Sequence, residues 1–374
     1  MALRTPSSWT KALDDCLAAQ ALYKDATPPK VRLRTVKVQL ALGLVREAER
    51  SLESIREERA TLDPLALQSL SAEDSRVAAV KRHLANIQRE RSGKNWPMVQ
   101  LGLDQLAKTV EVMPREWRTW ELESLVGRKK FEVAASKAAD MLRGDQKQPE
   151  ALYFRGLCLY LQGNTAQAIA HATEALRNDP DFAPARTLVR RIRHLDALKD
   201  AGNDAFKKSD WDTAIAKYTE ALEAVDVEND QLRATLLSNR ATAHLKKGEH
   251  EEALQDCSAC IEAVPTYFKA FRTRARVKLA QSEFEDAVRD FDAAKEHAPA
   301  TGPDVAALKR EIQDAQVALK KSKMKVSREL PPRSKRELTP GDTGPLQGAR
   351  HRVDRDRVRD QEGLQGCLAQ DASR

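Results

Sequence analysis

Residues 149–180 read PEALYFRGLCLYLQGNTAQAIAHATEALRNDP, and this stretch decides the fold. It reads as two antiparallel helices, with Gly156 on the first, Ala168 and Ala175 on the second, and Pro180 at the closing turn. The residue types have a physical reason. Small side chains sit where two helices approach within ~8–10 Å, and a proline stops the second helix. The unit then recurs. From Ala134 in Phe131-Glu132-Val133-Ala134 to Ala168 in Thr165-Ala166-Gln167-Ala168 the offset is 34, and from Ala253 to Ala287 it is 34 again. From Ala168 to Ala214 the offset is 46, which predicts an extra linking helix around Thr187–Asp196. From Ala214 to Ala253 it is 39, which predicts a loop at Val225–Asp230. A period of this length marks a solenoid, because each unit leaves an apolar face that only its neighbour can cover.

Outward from this stretch, helical periodicity runs from Trp9 to Lys321, and no segment sustains the alternation of a strand. Ala201-Gly202-Asn203 with Trp211, Ala214, Tyr218 and Ala221 repeats the pattern, as does Asn239-Arg240-Ala241 with Ala253, Cys257 and Cys260. Lys30–Ile55 and Arg115–Leu142 keep the pairing of helices with fewer signature residues, and Glu73–Pro114 is looser still. Trp9–Tyr23 reads as the second helix of a unit without its first, so the expectation is an N-terminus shortened relative to similar chains. The predicted organisation is all-helical: divergent repeats over 1–190, a three-repeat module over 191–300, a capping helix over 301–325 and a disordered basic tail over 326–374.

Composition agrees. Aromatic residues are 5% of the 374 and charged residues 32%, a mix that suits helices better than sheets. No run of ~18 apolar residues, the length needed to span a bilayer, occurs in the sequence. Asp14 and Asp15 interrupt the first twenty residues, which do not read as a secretory signal. Five scattered cysteines make no disulfide framework, so the expected compartment is the cytoplasm, with the nucleus as a second location. The net charge of +7 is concentrated from Lys320 onward, where 14 Lys and Arg face 8 Asp and Glu. The helical part is nearly balanced, which argues against nucleic acid as its partner.

A unit of about 34 residues built from two antiparallel helices resembles the tetratricopeptide repeat, and Pro149–Pro180 carries the resemblance most clearly. In that family, modules that bind heat-shock chaperones use a carboxylate clamp: Lys and Asn on the first helix, Asn on the third, and Lys and Arg on the fifth. Ammonium and amide donors converge there on the carboxylates of a C-terminal aspartate. Here Lys199 and Asn203 are four apart on one helical face, Asn239 follows in Leu237-Ser238-Asn239-Arg240, and Lys269 opens the fifth helix. The arginine place is taken by Thr273, flanked by Arg272 and Arg274, and the long stem of Arg272 is expected to reach round. The resemblance implies peptide-carboxylate binding by Lys199, Asn203, Asn239, Lys269 and Arg272, with heat-shock protein 70 and 90 chaperones as partners through their C-terminal peptides. Lys30 and Arg34 keep the Lys-to-Arg spacing, and Arg34 precedes Ala48 by the same interval as Thr273 precedes Ala287. They read as the remnant of a second clamp. The rival reading is a scaffold of the same fold that holds internal segments and uses no clamp.

No enzyme chemistry is expected. Cys257-Ser258-Ala259-Cys260 lacks the second ligand pair of a zinc site, and both cysteines fall at small packing places. The histidines are dispersed, no glycine-rich phosphate loop appears, and no cofactor or metal is implied.

The order of parts over Trp9–Lys325 is similar to a co-chaperone family in which two tetratricopeptide blocks precede a J domain. That domain's His-Pro-Asp loop stimulates the chaperone ATPase. No His-Pro-Asp occurs here, so no stimulation is expected from this chain. Val326–Arg374 has the composition of a disordered segment. Read one nucleotide later, Gln361-Glu362-Gly363-Leu364-Gln365-Gly366 can encode Arg-Arg-Ala-Tyr-Arg, and Asp371-Ala372-Ser373-Arg374 can encode Thr-His-Pro and the start of an aspartate codon. The expectation is a J-domain coding segment in a shifted frame, against a genuine basic tail; the nucleotide sequence decides between them.

Overall fold

The structure, a computed structural model, describes residues 6–23 and 27–329. The tail from residue 330 onward, including the segment read in a shifted frame, lies outside the described residues. Among those described there are helices and no strands. There, helix α1 (Pro6–Tyr23) precedes seven helix pairs. The first three pair α2 (Pro29–Ala41) with α3 (Val45–Glu57), α4 (Pro64–Ser92) with α5 (Trp96–Thr109), and α6 (Arg115–Gly127) with α7 (Phe131–Gly144). Next come α8 (Pro149–Leu161) with α9 (Thr165–Asn178), and α10 (Ala183–Lys207) with α11 (Trp211–Ala224). The last two pair α12 (Asp230–Lys247) with α13 (His250–Ala263), and α14 (Phe268–Ala280) with α15 (Phe284–His297). Helix α16 (Pro303–Glu329) follows; the compact unit closes within it, at Lys323.

One turn geometry joins the helices of every pair. The second residue before each second helix is left-handed: Gly43, Lys94, Lys129, Gly163, Ser209, Gly248 and Ser282, with φ from 54° to 90°. The fourth residue of each second helix is Ala48, Val99, Ala134, Ala168, Ala214, Ala253 or Ala287, and all seven are fully buried. This small place lets the two helices close on each other. At Gly156 a Cβ would lie 3.0 Å from the carbonyl oxygen of Ala168, so the fit there is tight. Where the second helix begins, an Asn or Asp often satisfies an orphan amide: Asn164 accepts from the Gln167 amide and Asp210 from that of Thr213.

The linking helix expected around Thr187–Asp196 does not stand alone. It is continuous with the first helix of the next pair, giving the 25-residue α10. Helix α10 therefore runs through residue 190, where the sequence reading divides the chain. Its Ala185, Leu188, Ile192, Leu195 and Leu198 are buried in one core that extends from Leu152 to Ala243. Among the described residues no helix is long and apolar enough to cross a membrane.

Candidate peptide-binding groove

The sequence-predicted residues fall on the first helices of three successive pairs. Lys199 and Asn203 are on α10, Asn239 on α12, and Lys269 and Arg272 on α14. The two asparagines meet. The Asn239 Nδ2 donates to Asn203 Oδ1 at 3.4 Å, and the Tyr218 hydroxyl donates to the same oxygen at 2.8 Å. With both donors on Oδ1, the Asn203 amide is turned so that its own Nδ2 is presented for donation. Tyr218 lies on α11 over Gly202, where a Cβ would come within 2.6 Å of its ring. Gly202 thus admits the ring that orients Asn203. Tyr218 was visible in the sequence as a packing residue; its hydroxyl bond to Asn203 is the part of the candidate site that sequence reasoning missed.

The cations are held within the chain. Lys199 Nζ lies 2.6 Å from Asp196 Oδ1, one turn earlier on α10. Lys269 Nζ lies 3.3 Å from Asp304 Oδ2 at the start of α16. Arg272 does not reach round to the place of Thr273. Its Nε and Nη2 donate to Glu311 of α16 at 3.1 and 2.5 Å, and Nη1 lies 3.5 Å from Asp304. Arg274, on the other side, is committed to Asp290 at 2.9 and 2.6 Å. Thr273 itself is buried. The physical reason is the angular step of the helix: residues flanking position 273 point about 100° away, toward α16 and α15 respectively. Burial opposes charge on Glu311, but hydrogen bonds from Arg272 and Arg276 outweigh it and hold its carboxyl down at about 2.

Lys30 and Arg34 lie on α2, both exposed. They border a cleft of about 690 Å³ with Lys11 of α1, and an adjoining cleft of about 440 Å³ with Lys37. Among the described residues neither has an ion-pair partner. Cys257 and Cys260 are fully buried, their thiols pushed up to about 12, chiefly by that burial. Cys260 Sγ donates to the Ala234 carbonyl at 3.2 Å, so Cys260 packs α13 on α12. Among the described residues no cluster of His, Cys, Asp and Glu could hold a metal.

The tetratricopeptide-repeat family profile matches residues 122–181 and 199–268. DnaJ homolog subfamily C member 7 of Homo sapiens is 31% identical over 321 residues, covering 84% of this chain and 61% of that protein. The chain thus spans under two thirds of that relative's length. Hsp70-Hsp90 organizing protein 2 of Arabidopsis thaliana is 31% identical over 104 residues, 28% of this chain and 17% of that protein. Among solved structures, the tetratricopeptide-repeat domain of P58(IPK) superposes with a TM-score of 0.55 at 19% identity, covering 84% of this chain and 85% of that one. The fold is that of a tetratricopeptide-repeat solenoid.

Proposed function

Because the chain carries tetratricopeptide repeats and is homologous to DnaJ homolog subfamily C member 7, we propose that it is a co-chaperone adaptor. In this reading the groove along α10, α12 and α14 docks the acidic C-terminal peptide of heat-shock protein 70 or 90 chaperones. Asn203 and Asn239 fix the peptide's terminal carboxylate, and Lys199 and Lys269 supply charge. The observation that carries the reading is the Asn239–Asn203–Tyr218 array, which presents an oriented amide donor on α10, the helix that also bears Lys199. The relative whose own name couples Hsp70 and Hsp90 supports the choice of partner. The role is docking and not catalysis, and it includes no stimulation of the chaperone ATPase by this chain.

With no arginine at position 273, binding is expected at micromolar Kd or weaker, about −8 kcal/mol or less favourable. Being ionic and near solvent, it weakens with added salt. Titration calorimetry with a chaperone tail peptide tests it. A free C-terminus binds, while amidating that terminus or substituting Asn239→Ala removes the heat. Equal binding of the amidated peptide overturns the clamp and leaves a groove for internal segments. Lys30 and Arg34, exposed and without an ion-pair partner among the described residues, favour a second, weaker carboxylate site on α2, which the double substitution to alanine would eliminate.

A further inference from the structure

Lys269, Arg272 and Arg276 lie at spacings of three and four along α14 and form one cationic stripe. Asp304 and Glu311 are seven apart on α16 and form the facing acidic stripe. The two stripes meet in a run of ion pairs: Lys269 and Arg272 on Asp304 at 3.3 and 3.5 Å, and Arg272 and Arg276 on Glu311 at 2.5 to 3.1 Å.

The two carboxylates are held unequally. Glu311 receives two forked guanidinium pairs and its side chain is 25% exposed. Planar guanidinium forks are the stronger and more rigid kind of pair. Asp304 has only the two long contacts, its side chain is 47% exposed, and that of its partner Lys269 is 51% exposed. A pair this open to water is weak and exchanges readily. The helix beneath is nevertheless anchored. Leu308, Ile312 and Ala315 of α16 pack with Phe271, Ala275, Phe291 and Ala294. Exchange at Lys269 therefore needs a turn of the Asp304 side chain and no departure of α16.

We propose that Asp304 is an affinity-setting residue of the groove: in the free protein its carboxylate occupies the Lys269 ammonium, and an incoming C-terminal carboxylate must displace it. This rests on the clamp reading above. Each binding event then swaps one ion pair at Lys269 for another, so part of the charge gain is cancelled and the salt dependence is shallower than the count of lysines implies.

The test uses the full chain, a free-carboxylate chaperone tail peptide and its amidated form, at low and moderate salt. Asp304→Asn is expected to tighten the free peptide by about two- to fivefold, the range an exposed ion pair supports, and to steepen the fall of affinity with salt. Asp292→Asn, which removes the same charge from an exposed place on α15, is expected to leave affinity unchanged. Asp304→Ser serves as a second substitution, with thermal melting to show that each variant is folded. If wild type distinguishes the free from the amidated peptide but Asp304→Asn behaves as Asp292→Asn does, this inference falls and the clamp stands. If wild type binds both peptides equally, the clamp itself falls, and this inference with it.

Discussion

Helix pairs α12–α13 and α14–α15 are one device built twice, a single repeat apart. In the first, Arg240 of α12 forks onto Asp256 of α13 at 2.8 and 2.6 Å; in the second, Arg274 forks onto Asp290 at 2.9 and 2.6 Å. Ala241 and Ala275 occupy the same buried place, as do Ala253 and Ala287. The copies part company on the side turned to the groove. Asn239 reaches Asn203, whereas its counterpart Thr273 is buried and reaches no ligand place. They differ also at the turn, where Gly248 stands against Ser282. Contacts between the two helices of a pair are repeated because each pair has the same packing problem. Residues on the groove side meet no such demand and are free to differ, so any binding proposed for the groove rests on what does not repeat.

The largest blow to the comparison is removal of its shared ion pair. Asp256 and Asp290 are each 6% exposed, and alanine at either leaves a guanidinium without its partner. Urea unfolding should show a loss of about 3–5 kcal/mol for each. The greater loss is expected for Asp290→Ala, because Lys278 also pairs with Asp290, at 2.7 Å. Exchanging the turn residues sharpens the comparison on a smaller scale. Ser282→Gly should raise stability by about 1 kcal/mol and Gly248→Ser should lower it by a similar amount, since only glycine takes a positive φ without steric cost. Thermal melting of the two variants and their combination measures both. A pH-dependent effect separates the copies by their next neighbour. Glu311 binds α14 and has its carboxyl depressed to about 2, so the stability from that depression is full above the ordinary carboxylate range and is lost as pH falls through about 2. The gap in melting temperature between wild type and Glu311→Gln should therefore close between pH 5 and pH 2.

Much of the solenoid was legible because its cause is local. Alanines at 134, 168, 214, 253 and 287 mark the close approach of two helices, and all are fully buried. The pair α4–α5 was read only as a loose segment because Val99 fills the alanine place and α4 runs to 29 residues, which throws the period off. The linking helix was read as separate because offsets count residues and do not show that no breaker interrupts Thr187 to Lys207. In the candidate site, the resemblance to the carboxylate-clamp pattern brought out Asn203 and Asn239. The partners of Lys269 and Arg272 were not legible, since Asp304 and Glu311 lie beyond the whole of α15, on an element read only as a cap. Thr273 was recognised as a departure, and the pairing of Arg272 with Glu311 and of Arg274 with Asp290 shows why neither flanking arginine substitutes for the missing one.

Helix α10 serves two neighbours with one unbroken backbone. Its N-terminal turns cover Leu152, Tyr160 and Ala172, and its C-terminal turns hold Gly202 against Tyr218. A protein cut for expression at residue 190 would strip Ala185, Leu188 and Val189 from the α8–α9 side and leave Ile192 and Leu195 bare on the other. A cut upstream, at the Asp179–Phe182 connection, would keep α10 whole but would still part the core that joins Leu152 and Tyr160 to Leu188 and Ile192.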